Sequence, residues 1–236
     1  MKIYREIPRE EFEDLASRIL YEDNHLLVVN KRVGEIVQGD KTGDEPLSEK
    51  YKAFIAQRDD KPGQVFMGLP HRLDRPVSGI TVLAKTSKAL ERMNAMFRES
   101  DVHKFYWALV CNEPQPKEAR LEDYLWRNEK QNKSFVCRAG SARKDAKLAK
   151  LNYTQIGKTD RYWLVEVELL TGRHHQIRCQ LSNAGCPIKG DLKYGAPRSN
   201  PDGGISLHAR RIVFTHPVRK EPMTIEAPVP SSWKGI

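Results

Sequence analysis

Apolar side chains stand at every second position from Trp163 through Val165 and Val167 to Leu169. A repeat of two places them on one face of a strand, with Leu164, Glu166 and Glu168 on the other. A half-buried strand of this kind needs neighbours, and the chain supplies them. His25–Asn30, Gln64–Leu69, Ser78–Ala84, Phe105–Val110, Leu151–Ile156, Ile205–Phe214 and Met223–Ala227 all read as short strands bounded by polar or turn-forming residues. Helical spacing occurs in fewer places. Tyr4–Leu20 sets Phe12, Leu15, Ile19 and Leu20 on one side, and a helix beginning at Pro46 aligns Leu47, Tyr51, Phe54 and Ile55. Ser87 reads as the N-cap of a helix reaching Ser100 with Leu90, Met93, Met96 and Phe97 as its apolar face. His174–Ala184 aligns Ile177, Leu181 and Ala184 before Gly185. Strands that outnumber helices, without regular alternation between them, point to an α+β fold with a mixed, largely antiparallel sheet core and flanking helices.

The 236 residues contain no internal repeat and no low-complexity linker. The expected organisation is an extension over 1–20 packed on a single catalytic domain over 21–236. No run of about 18 apolar residues exists, and MKIYREIPREEFEDL is too charged for a secretory signal. A cytoplasmic protein without a membrane partner is expected. The four cysteines form no C-x-x-C pair, which favours reduced thiols over a zinc ribbon or a disulfide framework. The net charge of +9 and the sequence pI near 9.4 suit a phosphate polyanion as partner, although a merely lysine-rich surface has the same composition. The charge is uneven, with 18 Lys and Arg against 6 Asp and Glu from Lys130 to Lys220, but 6 against 9 from Met1 to Asp40.

Three polar segments interrupt the strand and helix patterns: PHRLDRPVSG, HKFYWALV and LLTGRHHQIRCQL. In the first, Asp74 lies between Arg72 and Arg75. Pro76 biases Arg75 away from helical angles, so the carboxylate sits on an extended or turning segment ahead of a strand. Adjacent cations favour its ionised form, the state a nucleophile needs, whereas a surface ion pair accounts for the same residues with no function. In the second, Tyr106 shares a strand face with Ala108 and Val110, where packing is the ordinary role. In the third, Arg173 follows a Thr-Gly turn at an expected helix N-terminus, a place that attracts anions.

Taken together, YEDNHLLVVNK, HRLDRPVSGITVLAKT, KFYWALV, TGRHHQIRCQLSNAGCPIKGDLKYG and SLHARRIVFTHP resemble the ordered blocks of an RluA-type pseudouridine synthase. The resemblance runs from about Tyr21 to about Pro228 and implies the pseudouridine synthase fold with a central RNA-binding cleft. It also implies an isomerase that turns a specific uridine of tRNA or rRNA into pseudouridine without cofactor or metal. On this resemblance Asp74 is the catalytic residue. Tyr106 stacks on the uracil, Arg173 pairs with the catalytic aspartate, Arg72 enters the RNA stack vacated by the flipped base, and Leu207 lies under the base. The expected partner is structured RNA, with the protein acting as a monomer. The chain departs from the family pattern at Arg32, where a proline commonly follows the lysine of the first block, and at Val77, His174, Cys179 and Gln180. His174, His175 and Cys179 are not expected to hold a metal, because adjacent histidines do not share one helical face. The small RNA-binding domain that often precedes this catalytic domain is also not expected.

Two other function classes fit parts of the sequence. A non-catalytic RNA-binding or ribosome-associated protein would keep the basic surface, but has no need of Asp74. A glycoside hydrolase would use Asp74 as nucleophile, but normally requires a second carboxylate about 5–10 Å away, and the polar segments offer arginine, histidine and tyrosine instead.

Overall fold

The structure is a computed structural model that describes residues 3–40, 42–137 and 143–233. The chain divides into two compact units. The first comprises Met1–Val102 and Arg211–Pro228, and the second His103–Arg210 and Val229–Ile236.

The first unit opens with α1 (Arg9–Ser17), followed by β1 (Ile19–Glu22) and β2 (Leu26–Lys31). The helix expected to reach Leu20 ends earlier, because Ile19 and Leu20 belong to the strand. Ile19 pairs with Val29 and Tyr21 with Val28, so Leu20 is a bulge. α2 (Leu47–Arg58) follows Pro46, and its Leu47, Tyr51, Phe54 and Ile55 are all buried. They pack with Leu15, Leu27, Val29 and Leu83, each such side chain contributing about 1.5–3 kcal/mol by its removal from water. Tyr51 satisfies its hydroxyl within this core by donating to the Leu15 carbonyl at 3.0 Å.

β3 (Ser78–Ala84) pairs antiparallel with β2 from Gly79 to Ala84 and is buried at every position. A strand covered on both faces shows no apolar/polar alternation, and SGITVLA buries Ser78 and Thr81 along with Ile80, Val82, Leu83 and Ala84. Gln64–Leu69, expected as a strand, contributes only the bridge between Gly68 and Ala84. α3 (Ser87–Glu99) is capped by Thr86, whose hydroxyl accepts from the Ala89 amide at 3.1 Å, one residue earlier than expected.

The second unit is a ribbon of antiparallel strands in the order β4 (His103–Val110), β8 (Trp163–Leu169), β7 (Lys147–Lys158), β5 (Glu118–Asn128) and β6 (Lys133–Val136). β5 and β6 were not among the expected elements. α4 (Gln176–Asn183) packs on their inner face through Cys179, which meets Leu125, Ala149 and Tyr194. Of β9 (Leu207–Thr215), the first four residues belong to the second unit. The remainder belongs to the first, where it pairs antiparallel with β10 (Pro222–Glu226).

Candidate active site

Asp74 lies half-buried on the connection into β3. Its carbonyl accepts from the Val77 amide at 3.0 Å, closing a turn across Pro76, and the Val77 side chain is buried beneath. The loop is tied to the segment after β2 from both sides. The Gly34 amide donates to the Arg75 carbonyl at 2.9 Å, and Arg75 Nε donates back to the Gly34 carbonyl at 3.0 Å. Gly34 holds a φ of 86°, a conformation a residue with a Cβ adopts only under strain. The Arg75 guanidinium also pairs with Asp44. Arg72 is exposed and reaches Gln38 Oε1 at 3.5 Å. His71 Nε2 accepts from the Val82 amide at 2.9 Å while its ring stacks on Phe97 at 4.9 Å between centroids. The two arginines beside Asp74 therefore differ in kind, one serving the scaffold and the other presented outward.

Beneath this loop lies Lys31, the last residue of β2, with 1 % of its surface exposed. Its ammonium donates to the carbonyls of Arg32 at 2.9 Å, Glu35 at 2.8 Å and Arg75 at 3.3 Å. Burial pushes its pKa down to about 8, against the attraction of the Glu35 and Asp74 carboxylates. Lys31 is thus a buried cation in the electrostatic environment of Asp74. A lysine closing the apolar run HLLVVN is the signal that could have marked it. Glu35, itself largely buried, takes Arg18 at 2.7 Å and Lys50 at 3.3 Å, and these cations help to hold its pKa below the usual range against the opposing effect of burial. The Arg32 amide donates to Glu35 Oε2 at 3.0 Å, a bond the commoner proline lacks, and the Arg32 side chain pairs with Asp14.

In the second unit Tyr106 is 8 % exposed on β4, opposite Val167 of β8. It shares its face with the fully buried Ala108 and Val110, as the alternation predicts. Leu207 opens β9 and is 3 % exposed. Arg173 lies ahead of α4, not at its first turn. His175 adopts a left-handed φ of 52°, and the helix begins only at Gln176. The Arg173 amide donates to Gln176 Oε1 at 3.0 Å. Gln176 returns its own amide to the Arg173 carbonyl at 3.1 Å. The exposed guanidinium is steadied at the base, where Nε donates to the Leu148 carbonyl at 2.9 Å.

The residues around Arg173 form a packed support. Tyr194 hydroxyl takes the Ser134 amide at 2.8 Å and meets His175 Nδ1 at 3.0 Å. Burial, reinforced by Arg178, drives the His175 pKa down to about 2, so the ring stays neutral. Ser134 Oγ donates to the His174 carbonyl at 2.7 Å, and the two histidine rings stack at 3.8 Å. Cys179 Sγ contacts the Ser134 carbonyl at 3.3 Å, with its pKa pushed up to about 11 by burial. Gln180 donates to Asp123 at 2.7 Å. Three departures from the family pattern, His174, Cys179 and Gln180, therefore meet β5, β6 or the turn between them, fastening α4 to that hairpin. Arg178 forms a bidentate pair with Asp191 at 2.6 and 2.9 Å, with side-chain exposures of 6 % and 1 %. Both residues lie in the block TGRHHQIRCQLSNAGCPIKGDLKYG, but their pairing was not foreseen.

The RNA pseudouridylate synthase family model matches residues 25–183, which contain Lys31, Arg72, Asp74, Tyr106 and Arg173. The chain belongs to this family. The synthase is 36 % identical over 222 residues to the ribosomal large subunit pseudouridine synthase C of Vibrio vulnificus, covering 92 % of this chain and 67 % of the relative. It is 34 % identical over 231 residues to the protein of that name from Escherichia coli, covering 93 % and 69 %. Among solved structures, human RNA pseudouridylate synthase domain containing 4 superposes with a TM-score of 0.78 at 25 % identity, covering 94 % of the synthase and 92 % of the human chain. The synthase has the α+β pseudouridine synthase fold and is an isomerase acting on RNA. Among the described residues, no helix is long and apolar enough to cross a membrane.

Proposed function

We propose that the synthase converts one uridine of large-subunit ribosomal RNA to pseudouridine, with Asp74 as its catalytic carboxylate. The support for Asp74 is the clasp around it: a half-buried carboxylate on a loop whose backbone is bonded from Gly34 and from the buried ammonium of Lys31. A catalytic group needs such preorganisation, and a surface ion pair does not. The support for the substrate is the identity with the large-subunit enzymes.

In the reaction the bond from the sugar to uracil N1 breaks, a bond from the same sugar carbon to C5 forms, and the C5 proton is lost while N1 gains one. Atoms and electrons balance within the nucleotide, so no oxidant or reductant is needed. Asp74 acts on the nucleotide as nucleophile or base. Tyr106 and Leu207 present an aromatic and an aliphatic surface to the uracil, Arg173 a cation anchored at its Nε, and Arg72 an exposed one for the gap left by the extruded base. Extruding that base costs a few kcal/mol, which basic backbone contacts offset.

Mapping pseudouridine across the host's ribosomal and transfer RNAs, with the protein present, deleted or restored, tests this. One large-subunit position should lose its pseudouridine on deletion and regain it with wild type but not with Asp74→Asn. Recovery by Asp74→Asn would overturn the catalytic assignment, and loss confined to a transfer RNA would overturn the substrate.

A further inference from the structure

The outer face of the β5–β6 hairpin carries aromatic rings and cations that the proposed reaction does not use. Trp126 of β5 stands opposite Phe135 of β6, and their rings stack at 5.1 Å with 24° between planes. The Arg143 guanidinium lies 3.8 Å over the Trp126 ring, and the Lys133 ammonium 5.3 Å over Phe135. Tyr124, two residues before Trp126 and so on the same face, is 56 % exposed.

The core does not require these rings. Leu125 and Val136, paired on the opposite face, already meet Ala149 and Cys179. Between Lys130 and Lys150 the sequence holds 7 Lys and Arg and a single acidic residue, Asp145, which is engaged with Arg143 at 3.0 Å. Glu122, the nearest acid on this face of β5, is engaged with Arg120 at 2.6 Å and Lys150 at 3.5 Å. The surface is therefore a row of ring faces within a positive field.

We infer that this face is a second RNA contact, on which unpaired bases stack upon Tyr124 and Trp126 while Arg143 and Lys133 meet the adjoining phosphates. Aromatic planes and cations recognise a single strand together, since every base has a π-face and every nucleotide a charge. A base on Trp126 takes the place of the Arg143 guanidinium, which lies on the exposed side and turns to the phosphate. The inference rests on the synthase acting on RNA, and it is independent of which RNA is modified.

The test measures binding of the full chain to a fluorescein-labelled oligouridylate and to a fully paired RNA duplex, by anisotropy at several salt concentrations. Tyr124→Ala and Trp126→Ala should each weaken oligouridylate binding by about 5- to 100-fold and duplex binding far less. Trp126→Phe should restore most of the affinity, and Arg143→Gln should flatten the salt dependence. Turnover at saturating substrate RNA should be unchanged, with the loss appearing in KM. Tyr124 is exposed, so its variant decides the matter if Trp126→Ala does not fold. Folded variants that bind oligouridylate within about twofold of wild type overturn the inference. Equal losses for duplex and single strand overturn stacking, and loss of oligoglutamate binding with RNA binding intact would assign the face to an acidic protein partner. A wild-type protein that forms no pseudouridine yet shows Trp126-dependent oligouridylate binding would sink the proposed function and leave this inference standing.

Discussion

Replacing Lys31 with methionine separates the charge of a buried ammonium from the volume of its stem, and the pH dependence of the difference can be worked out. In the folded protein the Lys31 pKa is pushed down to about 8 by burial, whereas an unfolded lysine titrates near 10.4. Between these values the unfolded chain binds one proton more than the folded one, so stability rises with pH. The direction is opposite to that of a lysine whose pKa is raised by a salt bridge. Relative to Lys31→Met, wild type should gain about 1.4 kcal/mol on going from well below pH 8 to pH 9, about 2.5 kcal/mol by pH 10, and about 3 kcal/mol in all. Urea unfolding of both proteins at matched pH gives the difference directly, and groups common to both cancel. Activity should move the other way. Once the ammonium is neutral, the Arg75 carbonyl and the Asp74 carboxylate lose their buried cation, so turnover falls above about pH 8 while stability still climbs. A difference in unfolding free energy that stays flat from pH 7 to pH 10 would refute the reasoning.

Asp191→Asn leaves the Arg178 guanidinium buried without its counter-charge, which should lower stability by about 3–5 kcal/mol in chemical denaturation. A loss below 1 kcal/mol would show that the pair is solvated. Ser100 ends α3 in a left-handed conformation at φ 65°, so Ser100→Gly should raise stability by about 0.5–1 kcal/mol, seen as a higher Tm. Tyr106→Phe should impair turnover with a smaller loss of RNA affinity, measured by single-turnover kinetics beside binding. Unchanged kinetics would return Tyr106 to a packing role.

Where a side chain's fate depends on local period, the sequence was legible. Leu47, Tyr51, Phe54 and Ile55 recur at helical spacing and are buried, and SGITVLA is bounded by the residues that bound β3. β5 was missed because EARLEDYLWRN alternates charged residues, which are depleted in strands, with side chains that are only half-buried for most of its length. Its strand character comes from pairing with β6 and β7, a contact that local pattern does not report. Helical spacing was carried too far at Ile19 and Leu20 because apolar residues suit either element, and pairing with β2 decided between them. Asp74 stood out because its neighbours in sequence are charged. Lys31 did not, since its acceptors come from residues 32, 35 and 75, and the last arrives only when the chain has folded.

The division of the chain between the two units bears on the order in which it matures during translation. The first unit holds Lys31 and Asp74, but it also draws on Arg211–Pro228, where β10 and the last part of β9 lie. Emergence of the first hundred or so residues from the ribosome therefore leaves the unit short of two strand segments, and the whole second ribbon is synthesised before they appear. The loop carrying Asp74 must wait in an unfinished unit while the second ribbon is made, and a nascent chain halted before Arg211 should be cut readily by protease at sites the finished protein protects.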